Sequence, residues 1–121
     1  MKVLVADGDA DHLAGVVTWL RTHGYEVKHA LTAERFRVSW IDYKPDLVVV
    51  QHPLAGVDTL DLCRDLRLKH DALVLAIATE PDAGTHIRCL ESGADACVTK
   101  PFVPAMLLAH IHALTRRRQN P

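Results

Sequence analysis

Short apolar runs alternate with amphipathic stretches along the whole chain. Val3-Leu4-Val5-Ala6 is apolar throughout and stops at acidic residues and Gly8. That is the pattern of a strand buried on both faces, not on one. Residues 10–23 carry Leu13, Val16, Val17 and Leu20 at helical spacing, and Gly24 follows as a stop. Residues 25–29 predict a second strand. Residues 33–42 predict a helix with Phe36 and Trp40 four apart on one face. After Pro45, Leu47-Val48-Val49-Val50 is the most strand-like run of the chain. A loop with Pro53 and Gly56 leads into a helix over 58–68, with Leu62 and Leu66 among charges. Residues 73–78 predict a fourth strand, 83–92 a helix ending at Gly93, and 96–98 a short fifth strand. A last helix over 104–116 turns Leu107, Leu108, Ile111 and Leu114 inward.

Strand then helix, five times over, predicts an α/β fold: a parallel sheet with helices on both faces. In such a doubly wound fold the working site lies at the carboxyl ends of the strands, near the switch in strand order. The residues there are Asp7, Gly8 and Asp9, then Gln51 and His52, then Thr79 and Glu80, then Thr99 and Lys100.

The length, 121 residues, suits one domain with one core. A formal net charge of −1 gives no reason to expect direct contact with nucleic acid or a membrane. Cys63, Cys89 and Cys97 are odd in number and form no CxxC, which fits a reduced, cytoplasmic compartment. The first residues are neither a signal peptide nor a membrane span. The chain holds 8 His residues, and none has the spacing of a metal pair: His110 and His112 point to different faces of a helix. The Arg116-Arg117-Arg118 run is expected as a solvated helix terminus, and residues 117–121 as a possible start of a linker.

Five fragments in order carry a resemblance. They are VLVADGD at the first strand, GYEV at the second, PDLVVV with AGVDTLDLCRDLR at the third, LAIAT at the fourth, and LESGADACVTKPF at the fifth. Along nearly its whole length the chain resembles a receiver domain of the response-regulator family, with ESGAD and TKPF the most diagnostic strings. The resemblance implies a CheY-like, flavodoxin-like sheet of five parallel strands in order 2-1-3-4-5, flanked by five helices. It also implies a switch in which a sensor kinase places a phosphoryl group on one Asp with bound magnesium.

The chemistry of that switch sets the roles to look for. A carboxylate must attack phosphorus. A hard divalent cation on oxygen ligands must screen two anions from each other. A Lys supplies a second positive charge, and a hydroxyl reports the phosphoryl group. By resemblance, the first acid falls on Asp7, the second on Gly8, the acceptor on Gln51, the reporter on Thr79 and the Lys on Lys100, followed by Pro101 in a bond that is usually cis in this family. The aromatic switch position falls on Cys97, expected as a small core residue.

An amide is a poor nucleophile and cannot form the acyl phosphate, and the family's three carboxylates are reduced to Asp7 alone. Magnesium binding is therefore expected to be weak or absent, and no cofactor is expected. The expected replacement is an ion pair or hydrogen-bond set, with Gln51 supplying a donor and an acceptor. A register slip placing Asp9 in the position of Gly8 is the alternative. Strand alternation turns His52 away from Gln51's side, which disfavours it as a substitute acceptor.

The resemblance implies action through the fourth helix, fifth strand and fifth helix. Asp95 remains there, while Ala105, Met106 and His110 make the face more apolar and put the family's salt-bridge dimer in doubt. A pH-sensitive contact through His110 and His112 is a further idea. The expected function is a phosphorylation-independent protein-interaction module in signalling and transcription regulation. It would act through a protein partner or self-association at that face, with a covalently linked DNA-binding domain as one setting. The alternatives are a phosphotransfer receiver with a non-standard acceptor, or a small-molecule-sensing receiver. An independent enzyme is not expected, since no nucleophile–base pair stands at the strand ends.

Overall fold

The apolar runs become five parallel strands, and a computed structural model describes residues 1–79 and 82–119. The elements are β1 (Lys2–Ala6), α1 (Ala10–Thr22), β2 (Glu26–Ala30), α2 (Ala33–Tyr43), β3 (Leu47–His52), α3 (Thr59–Arg67), β4 (Leu73–Ala78), α4 (Ala83–Glu91), β5 (Ala96–Thr99) and α5 (Pro104–Gln119). The strand order is β2-β1-β3-β4-β5, the order expected from the sequence.

Burial on both sides explains the uninterrupted apolar runs. Val3, Val5, Leu47, Val49, Leu75 and Ile77 face Leu13, Val17 and Leu20 of α1 and Leu107, Ile111 and Leu114 of α5. The alternate residues Leu4, Ala6, Val48 and Val50 face Phe36 and Trp40 of α2 and Cys63 and Leu66 of α3. Each strand thus stabilises two layers, and a one-residue slip would exchange both sets of partners.

The helix starts are capped as their sequences allow. Asp9, Thr32, Asp58 and Asp82 each accept a backbone N–H in the first turn of α1, α2, α3 and α4. α2 ends on Lys44 in the left-handed region at φ 53°, where its N–H still reaches Trp40 O. The turn after β3 puts Ala55 and Gly56 at positive φ and is closed by Leu54 N–H to Val57 O and the reverse.

Two boundaries shift by more than one residue from the sequence expectation. β3 runs to His52, because Gln51 and His52 keep pairing with Ile77 and Ala78 of β4 although neither is apolar. α5 runs to Gln119, so 117–119 continue the helix. Arg117 donates to Asp95 O, and Arg118 pairs with Asp71. Residues 120 and 121 of that expected linker lie outside the described residues. Among the described residues, no helix is long and apolar enough to cross a membrane.

Candidate functional site

The switch point of the sheet lies between β1 and β3, which run in parallel side by side although α1, β2 and α2 separate them in sequence. The carboxyl ends of these two strands lie side by side there, as the doubly wound topology requires. Asp7 follows β1 directly, with its N–H bonded to Ala30 O at 3.1 Å. Its side chain is 2% exposed. One carboxylate oxygen accepts the Asp9 N–H at 2.8 Å. The other takes Lys100 Nζ at 3.1 Å and His12 Nδ1 at 2.5 Å.

Both oxygens of the one matching acid are therefore occupied by donors of this chain. A carboxylate only accepts, so His12 carries its proton on Nδ1 in this contact. The His12 ring also meets Phe102 edge-to-face at 5.6 Å. His12 was missed by the sequence reading. The available signal was its place in the first turn of α1, three residues past the capping Asp9, where the helix start overlies the end of β1.

Gln51 meets the other side of the switch point. Its Oε1 accepts the Gly8 N–H at 2.7 Å, so the amide bridges β3 to the residue after β1. Of the donor and the acceptor expected of the Gln51 amide, the oxygen makes this contact. Gly8 is closely packed: a Cβ there would lie 3.3 Å from Leu54 Cδ1, a tight contact, and 3.8 Å from Gln51 Oε1.

Asp9 does not take the place of Gly8. Its carboxylate faces the helix, accepting Asp11 N–H at 3.0 Å and His12 N–H at 3.1 Å. Above all the bond from His12 holds this carboxyl below its ordinary value.

His52 points to the opposite side of β3 from Gln51, as strand alternation requires. Its Nδ1 lies 3.2 Å from Thr59 Oγ1, which donates to Gln51 O at 2.7 Å. Thr59 has one hydroxyl proton and spends it on Gln51, so His52 is the donor in its own bond. Burial holds the His52 imidazole below its ordinary value. Thr79 donates to His52 O at 3.4 Å, a backbone contact. Glu80, next along from it, lies outside the described residues. The Lys100–Pro101 bond is cis, and so is His52–Pro53, which the sequence reading did not anticipate.

A divalent cation does not fit the residues present. Asp7 is the one family-matching carboxylate, its oxygens are bonded, and two cationic or proton-bearing groups face it. Among the described residues no group of three His, Cys, Asp or Glu side chains could hold a metal ion.

The remaining singled-out residues lie toward α4 and α5. Asp95 is turned inward: it accepts Val74 N–H at 2.8 Å and pairs with Arg67 at 3.1 Å. That carboxylate joins the start of β4 to α3 instead of standing free for a dimer salt bridge. Ala105 is exposed, Met106 is 48% exposed and His110 is half-buried. Ile87, Leu90 and Val103 add exposed apolar surface at 52%, 53% and 61%. Cys97 is half-buried, not a closed core residue, and it packs against a small cluster of Leu60, Ala76, Ala78 and Cys89.

Comparison with known proteins agrees with this architecture. Residues 3–112 match the response regulator receiver domain family. The chain is 34% identical over 118 residues to the transcriptional regulatory protein PrrA of Mycobacterium tuberculosis, covering 97% of this chain and 51% of that protein. It is 32% identical over 125 residues to the DNA-binding response regulator MtrA of the same species, covering 98% and 52%. The chain thus spans about half the length of the curated relatives it matches. Among solved structures, a two-component response regulator from Clostridium difficile superposes with TM-score 0.90 at 25% identity, covering 100% of this chain and 99% of that one. The beryllofluoride-activated receiver domain of Klebsiella pneumoniae RstA gives TM-score 0.86 at 28% identity, covering 93% and 97%. With the sheet order, the matched span and the curated relatives in agreement, the chain belongs to the response regulator receiver domain family.

Proposed function

We propose that this domain is an atypical receiver that works as a protein-interaction module without being phosphorylated. One observation carries the reading: Gln51 stands at the end of β3 and spends its Oε1 on the Gly8 N–H at 2.7 Å. An amide there offers no carboxylate to attack phosphorus. The charge balance supports the same conclusion. Asp7, paired with Lys100 and bonded to His12, leaves no excess of negative charge to draw a divalent cation.

The signal would then pass through the surface of α4, β5 and α5, where Ile87, Leu90, Val103 and Met106 are exposed. The matched relatives are a transcriptional regulatory protein and a DNA-binding response regulator, which supports a setting beside a DNA-binding domain in a longer protein.

Incubation with phosphoramidate or acetyl phosphate and magnesium, followed by intact-mass measurement, tests the reading. The expected result is an unchanged mass. An added phosphoryl group on the folded chain would establish a receiver with a non-standard acceptor instead.

A further inference from the structure

A cavity of about 370 Å³ opens between α1 and the segment that leads from β5 into α5. Gly15, Trp19, Phe102 and Leu107 give it apolar walls, and Asp11 and His12 line its polar end. The volume falls in the range of small-ligand sites, and so does the mix of aromatic wall with few polar groups. Both rings are braced by a histidine. Phe102 meets His12 edge-to-face at 5.6 Å, and Trp19 packs on His23 at 4.3 Å.

Gly15 is the residue that fold and packing leave unexplained. It stands inside α1, where only proline is a poorer helix former. It is not among the glycines at positive φ, and a Cβ there would meet nothing within 4 Å. Neither backbone conformation nor close approach therefore calls for glycine. What the missing side chain does is leave the cavity open.

We propose that this cavity binds a small aromatic amine, with its ring between Trp19 and Phe102 and its ammonium group at Asp11 and His12. The charge of the lining selects the ligand. Asp11 is exposed, and its carboxylate makes no ion pair among the described residues. Asp9 already accepts the first N–H groups of α1, so Asp11 is not needed as their cap. His12 places its Nδ1 proton on Asp7, which leaves Nε2 as an acceptor. No Lys or Arg among the described residues lines the cavity. An ammonium group supplies the donors and the positive charge that this end lacks, and aromatic faces attract the same cation. A carboxylate ligand would meet the like charge of Asp11.

One imidazole joins this cavity to the degenerate switch. His12 lines the cavity and also bonds Asp7, which holds Lys100. A donor placed on Nε2 polarises the ring that grips the Asp7 carboxylate. The binding rests on the cavity alone and stands apart from the function proposed above.

Titration of the 121-residue chain with 2-phenylethylamine, followed by heteronuclear NMR, tests the inference. Saturable shifts are expected at the Gly15 amide, the Trp19 indole N–H and the His12 ring, with a Kd of about 1 mM or tighter. The anion 3-phenylpropionate, similar in size, should bind at least about tenfold more weakly. Asp11→Asn should weaken the amine at least about fivefold. Gly15→Leu separates cavity from fold: the better helix former should keep or raise the melting temperature, while its side chain fills the space and abolishes the shifts. The inference is overturned by an amine that gives no saturable shifts, by equal binding of the carboxylate, or by undiminished binding in Asp11→Asn or Gly15→Leu. Shifts at the same residues that grow with protein concentration alone would mark the cavity as covered by a second copy, and would overturn it too. None of these readouts involves phosphoryl transfer, so either reading can fail without the other.

Discussion

The Nδ1 of His12 and the Oδ2 of Asp7 lie 2.5 Å apart, joining the first turn of α1 to the end of β1. Lys100 approaches the same oxygen from beyond β5. Two segments distant in sequence, the β1–α1 junction and the residue after β5, therefore converge on one buried carboxylate. In the family's chemistry that oxygen would be a metal ligand. Here it is held by a proton-bearing imidazole and an ammonium group.

Asp7→Ala should destabilise the chain. It removes the partner of Asp9 N–H, Lys100 Nζ and His12 Nδ1 at once. Lys100 keeps 22% of its side chain in solvent, so part of the loss is recovered by water. The expected cost is about 2 kcal/mol, read from urea unfolding with an unchanged m-value. A variant as stable as the parent would mean that these bonds add nothing net.

Installing acids at the switch point should restore cation binding. In Gly8→Asp with Gln51→Asp, Asp7 regains two carboxylate neighbours. The bond from Gly8 N–H to Gln51 Oε1 can be replaced by a carboxylate acceptor. Leu54 must yield by a few tenths of an ångström to admit the new Cβ. Magnesium should raise the melting temperature of this variant and leave the parent unmoved, and phosphoramidate should label the variant alone. Equal magnesium responses would show that the missing acids are not what excludes the ion.

His52 gives the stability a pH dependence of defined sign. Burial, opposed by Asp58 and aided by Arg88, lowers its value in the fold. The unfolded chain therefore takes a proton first as pH falls below about 6.5. In that window the unfolded state binds more protons, and stability drops with falling pH. Above it the contribution is fully present. Thermal melts between pH 7.5 and 5 should show the decline, and His52→Gln should flatten it. An identical slope in the variant would assign the effect to another group.

Charges on the α4–α5 surface should break association without harming the fold. Ile87 and Met106 are 52% and 48% exposed. Ile87→Lys with Met106→Lys should change stability by no more than about 0.5 kcal/mol. The Kd of any complex made through this face should rise at least about tenfold, as sedimentation would measure. An unaltered Kd would locate the contact elsewhere.

Most of the architecture is readable from the chain because burial on both faces leaves an unmistakable trace. Leu47 to Val50 is apolar at four consecutive positions, and the helices between such runs keep the period that covers a sheet. The identities at the strand ends are equally local: Gln51, Gly8 and Lys100 are visible as residue types before any coordinate exists. Where side chains point is a different kind of fact. Asp95 reads as a surface acid, yet it satisfies Val74 N–H and Arg67. His12 reads as one imidazole among eight, yet it closes on Asp7. Cys89 and Cys97 read as scattered thiols, yet the fold packs Cys97 against the buried cluster that holds Cys89. Strand and helix periods depend on neighbours in sequence. Hydrogen bonds between residues 7 and 100, or 8 and 51, depend on how the sheet is wound, and no local pattern encodes that distance.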